Sequence, residues 1–401
     1  MAVFRGARGA ILALAAAIIV TTAALPYFDA LAFVVRAAKL PGAAAAIASW
    51  RSDAVASREP LRIPTRHGEV EARLYRPDGA IQRAVTLVPG VHMDGIDESR
   101  LVGMAEDLTR SGYAVLTVAP PDLRRFQITP ANTDVIEDAA VWLAARRDLA
   151  PDGRIGMFGI SFSGGLSLVA AGRPALRDKV AFVLSFGGHG DLPRVLRYLC
   201  SGQGQARPSA EAIAFVTGAE HLTTKPPHDY GVAVVLLGLA DHVVPAEQVE
   251  PLREGIRTFL AASSLTLVDM SRAEDEFAHA RRYAESLPEP SRTLLGYVND
   301  RRVDRLGPIL LPVLDGAGAI LDPALSPERS PITRAPVFLL HGADDTVIPS
   351  AETVMLATYL RAETEVHALL SGLITHAEVD RGAAPGEVLR LVGFWRALMG
   401  S

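Results

Sequence analysis

Residues 154–165 read RIGMFGISFSGG, an apolar run that ends in a turn rich in glycine and serine. The run has the length of a buried strand, and the residues after the turn favour a helix. A serine in a sharp strand-to-helix turn needs small residues two positions before and after it, because larger side chains would collide. Gly159 and Ser163 meet this requirement around Ser161. The pattern predicts a nucleophilic serine at a helix N-terminus, where backbone N–H groups stabilise negative charge.

Two other interpretations of this turn stay open. Ser163 is a rival nucleophile, because Ser161 and Gly165 flank it in the same pattern of small residues. We favour Ser161, since the apolar strand ends just before it. The short motif alone is equally consistent with a glycine-rich helix cap in a sheet without catalytic function.

Short apolar runs alternate with helical patterns on both sides of the turn, and residues 61–65 and 70–75 suggest a hairpin. Further strands and helices are predicted at 84–88, 101–108, 114–118, 134–147, 154–160, 164–171, 180–186, 337–340, 351–360, 366–370 and 387–398. Such alternation requires crossover connections. The fold class is therefore α/β, a mostly parallel sheet with helices on both faces.

The alternation is interrupted between residues 191 and 331, which read mainly as helices. The predicted helices are 192–199, 210–216, 230–239, 249–259 and 274–284. We interpret this insertion as a lid over the carboxyl edge of the sheet, where it would shape a substrate pocket. The chain then divides into a membrane anchor and linker (1–53), a first core segment (54–190), the lid (191–331) and a second core segment (332–401).

Two later motifs add the partners that a nucleophilic serine needs. Residues 337–349 read VFLLHGADDTVIP, and residues 366–379 read VHALLSGLITHAEV. Ser161, Asp345 and His376 thus follow strands in the chain order nucleophile, acid, histidine. A serine hydroxyl is a weak nucleophile until an imidazole takes its proton, and a carboxylate fixes the imidazole tautomer. These residues are the predicted catalytic triad.

The acid has two alternatives. Residues 232–245 read VAVVLLGLADHVVP and echo the acid-bearing motif, which makes Asp241 a candidate. We favour a helix there, because residues 337–376 already supply a complete strand–acid–helix–strand–histidine unit. Asp191, just after the strand at 180–186, is a weaker candidate.

Taken together, the motifs PGVHMDG (89–95), GISFSGG (159–165), HGADDTVIP (341–349) and ITHAEV (374–379) resemble the α/β-hydrolase superfamily. The resemblance covers about residues 80–190 and 335–400 and is closest to bacterial esterase-like members with a dienelactone-hydrolase or prolyl-oligopeptidase-type core. It implies that the acid is Asp345 and not Asp344.

The same resemblance implies an oxyanion hole built from the backbone N–H of Phe162 and that of Val91 or His92. Ser163 departs from the usual second glycine of the turn, and Pro89-Gly90 replaces the frequent His-Gly. The serine also differs from the cysteine of dienelactone hydrolases proper, so their substrate does not carry over.

These observations predict a serine hydrolase that acts on a small-molecule carboxylic ester through an acyl-enzyme. A serine peptidase of the same fold is an alternative, although residues before 80 leave no room for the propeller of the oligopeptidases. A membrane-tethered binding protein without catalytic activity is the other, since fold does not fix function. No residue pattern indicates the oligomeric state.

Composition limits the partners. The chain has 40 basic and 45 acidic residues and a net charge of −5, which argues against nucleic-acid binding. The histidines lack the spacing of a metal site, so we expect neither a metal nor another cofactor. Cys200 is the only cysteine, which excludes an intrachain disulfide.

Residues 9–28 carry no charge and follow Arg5 and Arg8. About 20 apolar residues suffice to span a bilayer as a helix. We therefore expect a membrane anchor with the catalytic part on the extracytoplasmic side. The alternatives are a cleaved signal peptide, with small-residue sites near 22–24 and 30–32, and a buried helix of a soluble domain. A chain that begins near Ala54 is expected to fold without this segment.

Overall fold

A computed structural model describes residues 24–39, 42–50, 52–203, 207–222, 225–266, 268–316, 318–374 and 385–401. Within these ranges the sheet has eight strands: β1 (Val55–Thr65), β2 (Gly68–Pro77), β3 (Arg83–Val88), β4 (Tyr113–Val118), β5 (Ile155–Ile160), β6 (Val180–Phe186), β7 (Val337–Gly342) and β8 (Val366–Ser371). Their order is β1-β2-β4-β3-β5-β6-β7-β8. The β1–β2 and β2–β4 pairs are antiparallel, and the other pairs are parallel. The predicted α/β class and the hairpin are confirmed.

The helices connect the strands or lie in the insertion. They are α1 (residues 24–37), α2 (Ala43–Trp50), α3 (Ser99–Arg110), α4 (Pro130–Ala144), α5 (Phe162–Gly172), α6 (Leu192–Ser201), α7 (Ala210–Phe215), α8 (Gly231–Val243), α9 (Ala246–Leu265), α10 (Met270–Ser286), α11 (Ser291–Asn299), α12 (Val303–Gly316), α13 (Ala351–Leu360) and α14 (Pro385–Met399). Helices α6 to α10 confirm the five that the sequence predicts in the insertion.

Helices α11 and α12 were not predicted. Proline removes a helical hydrogen bond and clashes with the preceding turn, and α12 contains both Pro308 and Pro312. Leu306, Leu310 and Leu314 of the same helix are buried at spacings of four residues. Packing of this apolar stripe therefore outweighs the unfavourable propensity of the prolines.

Two hydrophobic layers cover the sheet. Side chains of α4, α5, α13 and the insertion helices form one cluster, and side chains of α1, α3 and α14 form the other. Strands β4 and β7 are buried along their whole length. A parallel sheet covered on both faces favours such continuous apolar strands, and their carboxyl ends meet at one edge.

Helix α1 belongs to the second layer. The rings of Phe33 and Trp395 have centroids 4.2 Å apart. The Arg36 guanidinium donates to the Ala48 carbonyl of α2 and to Ser111 Oγ after α3. Part of the segment assigned to the anchor and linker (1–53), namely the described residues of α1 and α2, thus packs on the core. This part buries apolar surface that the core would otherwise expose.

The predicted membrane span at 9–28 lies mostly outside the described residues, which begin at residue 24. Among the described residues, no helix combines the length and the apolar character needed to cross a membrane. The anchor stays a prediction.

Candidate active site

The turn between β5 and α5 holds Ser161 in a strained backbone conformation. Its φ is 57° and its ψ is −134°, in the left-handed half of the map that residues other than glycine rarely adopt. The Ser161 N–H donates to the Phe186 carbonyl at 2.7 Å. A Cβ at Gly159 would overlap the Ser163 carbonyl, so the turn closes only around a glycine. The tight turn leaves Ser161 partly exposed at the carboxyl edge of the sheet.

Ser163, the rival nucleophile, lies two residues further on inside α5. Its side chain is fully buried, and its hydroxyl donates to the Pro89 carbonyl. A hydroxyl enclosed in this way cannot approach a substrate carbonyl. The geometry favours Ser161 as the nucleophile.

The loop after β3 passes beside Ser161. A Cβ placed on Gly90 would lie 3.2 Å from the Ser161 Cβ. Val91 and His92, the residues expected to supply an oxyanion N–H, follow directly. The other expected donor, the Phe162 N–H, belongs to the first residue of α5 and so has no intrahelical acceptor. The loop and the helix start thus both lie next to the serine, so the candidate donors are close to it in the fold.

The His92 side chain takes part in the local structure of this loop. Its Nδ1 accepts a hydrogen bond from the Asp94 N–H at 3.2 Å. Burial lowers the pKa of His92, although the carboxylates of Asp94 and Glu98 act in the opposite direction. The imidazole is therefore neutral at physiological pH, with its proton on Nε2.

Of the two adjacent aspartates after β7, only Asp345 is enclosed. Its side chain is 6% exposed, and its Oδ1 accepts from the N–H groups of Val347 and Ile348 at 2.8 and 3.1 Å. The Asp344 side chain is 57% exposed and pairs with Lys225 at 2.8 Å. The environment agrees with the choice of Asp345 as the acid.

The end of β6 contacts both the turn at 159–163, called the serine turn, and the loop at 343–349 after β7, called the acid loop. Phe186 accepts the hydrogen bond from the Ser161 N–H. The next residue, Gly187, has a positive φ, and a Cβ there would lie 3.7 Å from Asp345 Oδ2. Ser161 and Asp345 are thus held at the same edge of the sheet, on either side of one strand end.

His341, at the end of β7, holds the acid loop and was not among the predicted site residues. Its buried Nε2 lies 2.8 Å from the Ile348 carbonyl and 3.4 Å from Asp345 Oδ2, and its Nδ1 lies 2.7 Å from Thr353 Oγ1. A carbonyl oxygen only accepts, so the proton lies on Nε2 and the Thr353 hydroxyl donates to Nδ1. The signal in the sequence was a histidine at the end of a buried strand, four residues before the acid.

The alternative acids are engaged elsewhere. Asp241 lies near the end of α8, 54% exposed, and pairs with Arg253. Asp191 caps α6 by accepting from the Arg194 N–H and pairs with Arg329. His376 falls in residues 375–384, outside the described part of the chain, so its role stays a prediction.

The helical insertion packs directly on the acid loop. The Tyr198 hydroxyl of α6 donates to the carbonyls of Lys225 and Thr346 at 3.1 and 3.4 Å, and the His228 N–H donates to Thr346 at 2.8 Å. Burial raises the pKa of Tyr198, and the charge of Asp345 acts in the same direction.

In the part of the chain that the structure describes, no three side chains form a metal-binding group.

Three features decide the fold: the strand order, the antiparallel β2 and the strained serine between the fifth strand and its helix. The fold is the α/β-hydrolase fold.

No family model matches the chain, and a search of curated proteins finds no match. Solved structures similar to it include an esterase from Pyrobaculum calidifontis, with 15% identity, a TM-score of 0.44 and coverage of 95% of this chain and 93% of that one.

A thermophilic carboxylesterase cloned from a metagenomic library is also similar, with 14% identity, a TM-score of 0.45 and coverage of 87% of this chain and 90% of that one. An acylaminoacyl peptidase from Pyrococcus horikoshii has 14% identity and a TM-score of 0.40, with coverage of 88% and 42%. At this level of similarity, the likeness transfers no activity to this chain.

Proposed function

We propose that the protein is a serine hydrolase that cleaves small-molecule carboxylic esters through an acyl-enzyme intermediate. The observation that carries the proposal is the end of β6, which contacts the Ser161 turn through Phe186 and lies against Asp345 through Gly187. A strained serine and an enclosed carboxylate at one sheet edge support the nucleophile and the acid of the proposed triad.

The mechanism follows from these positions. Ser161 Oγ attacks the ester carbonyl while His376 takes its proton, and Asp345 orients the imidazole and stabilises its charged form. The oxyanion accepts hydrogen bonds from the Phe162 N–H and from Val91 or His92. His376 then protonates the departing alcohol, and water hydrolyses the acyl-enzyme by the same route.

A fluorophosphonate probe tests the proposal, because it reacts covalently with an activated serine hydroxyl. We expect the wild-type protein to be labelled at Ser161, with the site read by mass spectrometry, and to hydrolyse short p-nitrophenyl esters. Ser161→Ala should abolish both. Ser167→Ala, which changes another serine of α5, is the matched control and should retain both. A protein that neither reacts nor hydrolyses would instead be a binding protein on a hydrolase fold.

The insertion is proposed to act as the lid of this site. Tyr198 and His228 already contact the acid loop, so a substrate bound at Ser161 would lie close to them. Exchange of the insertion's contact residues would then change the preference among acyl chain lengths, with little effect on labelling of Ser161.

Membrane attachment through residues 9–28 is proposed as well, with the catalytic part extracytoplasmic. Its support is the uncharged run, which ends in the half-exposed Tyr27 and Phe28 of α1. Aromatic residues favour the membrane interface. Signal-peptide cleavage near 22–24 would retain nearly all of the described residues of α1, whereas cleavage near 30–32 would cut through its packed part.

Cell fractionation and N-terminal sequencing test the attachment. We expect the full chain in the membrane fraction with its N-terminus intact. A chain that begins at Ala24 should be soluble and active, because it retains the residues of α1 that pack on the core. A chain that begins at Ala54 should be markedly less stable. If sequencing finds that the mature protein begins near residue 25, the N-terminal segment is a cleaved signal peptide and the protein is secreted instead of anchored.

A further inference from the structure

We propose that Ser163 is a positioning residue of the oxyanion hole, which fixes the loop after β3 through its hydrogen bond to Pro89. The inference rests on the proposed hydrolase function and extends it to a residue outside the triad. It also gives a physical role to the departure from the usual glycine at this position.

The first support is the contact itself. Ser163 is fully buried in the first turn of α5, and its hydroxyl donates to the buried carbonyl of Pro89 at 2.5 Å. A buried carbonyl without a donor costs free energy, and a glycine at position 163 has no side chain to supply one. Ser163 therefore links the serine turn directly to the loop after β3, which carries Val91 and His92.

The second support is what the link holds in place. Val88 of β3 pairs with Gly159 of β5, so the sheet fixes the chain up to the residue before Pro89. The Ser163 hydroxyl extends this attachment by one peptide beyond the strand. The next residue, Gly90, then passes the serine so closely that an added Cβ would lie 3.2 Å from the Ser161 Cβ and 3.5 Å from the Ile160 carbonyl.

The consequence is a constraint on where the following N–H groups lie. An oxyanion donor works only within hydrogen-bond distance of the position that the developing negative charge will occupy. Small displacements of a positioning group reduce rates strongly. Release of the Pro89 carbonyl would let the loop move relative to Ser161, which weakens stabilisation of the transition state more than binding of the neutral ester.

Ser167 is a natural control one turn later in α5. It is also fully buried, but its hydroxyl has no hydrogen-bond partner among the described residues. Ser167→Ala removes the same atom from the same helix without releasing the loop. A difference between the two alanine variants therefore reports the link to Pro89 and not the loss of a buried oxygen.

The experiment compares Ser163→Ala, Ser163→Gly and Ser167→Ala in the full chain, with p-nitrophenyl esters and a trifluoromethyl ketone analogue. Ser161 Oγ adds to the ketone carbonyl while its proton passes to His376, and the carbonyl oxygen becomes an oxyanion, so the affinity of the ketone reports the oxyanion hole. For both Ser163 variants we expect kcat to fall about 10- to 100-fold, KM to change less than threefold, and ketone affinity to fall with kcat. Ser167→Ala should match the wild type.

The outcomes separate this inference from the proposed function. Suppose that the Ser163 variants fold and keep kcat and ketone affinity within twofold of the wild type, while Ser161→Ala is inactive. The positioning role of Ser163 is then overturned, and the proposed hydrolase function is retained. A rise in KM at unchanged kcat would overturn it too, because it indicates a substrate-binding role. Ser163→Gly adds no atoms to the turn and gives the same measurement if Ser163→Ala does not fold. Full activity of Ser161→Ala would overturn the function itself.

Discussion

Residues 337–349 and 232–245 look alike in sequence and differ completely in structure. Each has an apolar run, then Ala-Asp, then a Val- or Ile-Pro pair. The first forms β7 and the acid loop, whereas the second forms α8 and the start of the connection to α9. Asp345 is enclosed by backbone N–H groups, and Asp241 lies on a solvent-exposed turn of helix.

The neighbours of each segment explain the difference. β7 lies between β6 and β8, and all six of its residues are buried, as expected for a central parallel strand. α8 packs among α6, α9 and α12, so its apolar run meets helices instead of strands. An apolar run of this length forms either element, and the partners available in the fold decide which one.

The largest effect should come from the acid of the first segment. Asp345→Asn removes the charge that stabilises the imidazolium and is expected to reduce kcat about 10⁴-fold, as loss of a triad acid does elsewhere. Steady-state kinetics with p-nitrophenyl esters measure it. Asp344→Asn is the neighbouring control and should stay within threefold of the wild type. A stronger effect at Asp344 would show that the enclosed carboxylate is not the acid.

An intermediate effect is expected from His341 in the first segment. The second segment has no histidine at the corresponding position. His341→Leu removes the hydrogen bonds to Ile348 and Thr353 and leaves buried partners unsatisfied. We expect about a tenfold loss of kcat and about 2 kcal/mol less free energy of unfolding, measured by kinetics and urea denaturation.

His341→Gln keeps a donor on this side chain and should recover part of both losses. If His341→Leu loses stability but keeps full turnover, His341 supports the fold without positioning Asp345.

The smallest effect should come from the acid of the second segment. Asp241→Asn breaks only an exposed ion pair with Arg253, which is worth less than about 1 kcal/mol. We expect kcat to remain within twofold of the wild type, measured with the same esters. A large loss of turnover at Asp241 combined with none at Asp345 would reverse the comparison.

Helix α1 shows where sequence reasoning reached its limit. The assignment of residues 1–53 rested on the length and lack of charge of the run at 9–28, and neither property shows what the residues after that run pack against. The burial of Phe33 against Trp395, on α14, depends on two segments more than 350 positions apart. Only the folded chain brings them together.

The sequence by itself determined the α/β class, the order of strands and helices around the core, and the residue types at the strand ends. It could do so because hydrophobic periodicity and the steric demand of the serine turn are local. The tertiary structure decided that Ser163 is enclosed by Pro89, that β6 lies between Ser161 and Asp345, and that 232–243 is a helix. These outcomes depend on contacts between distant segments, whose burial and hydrogen bonding no local pattern specifies.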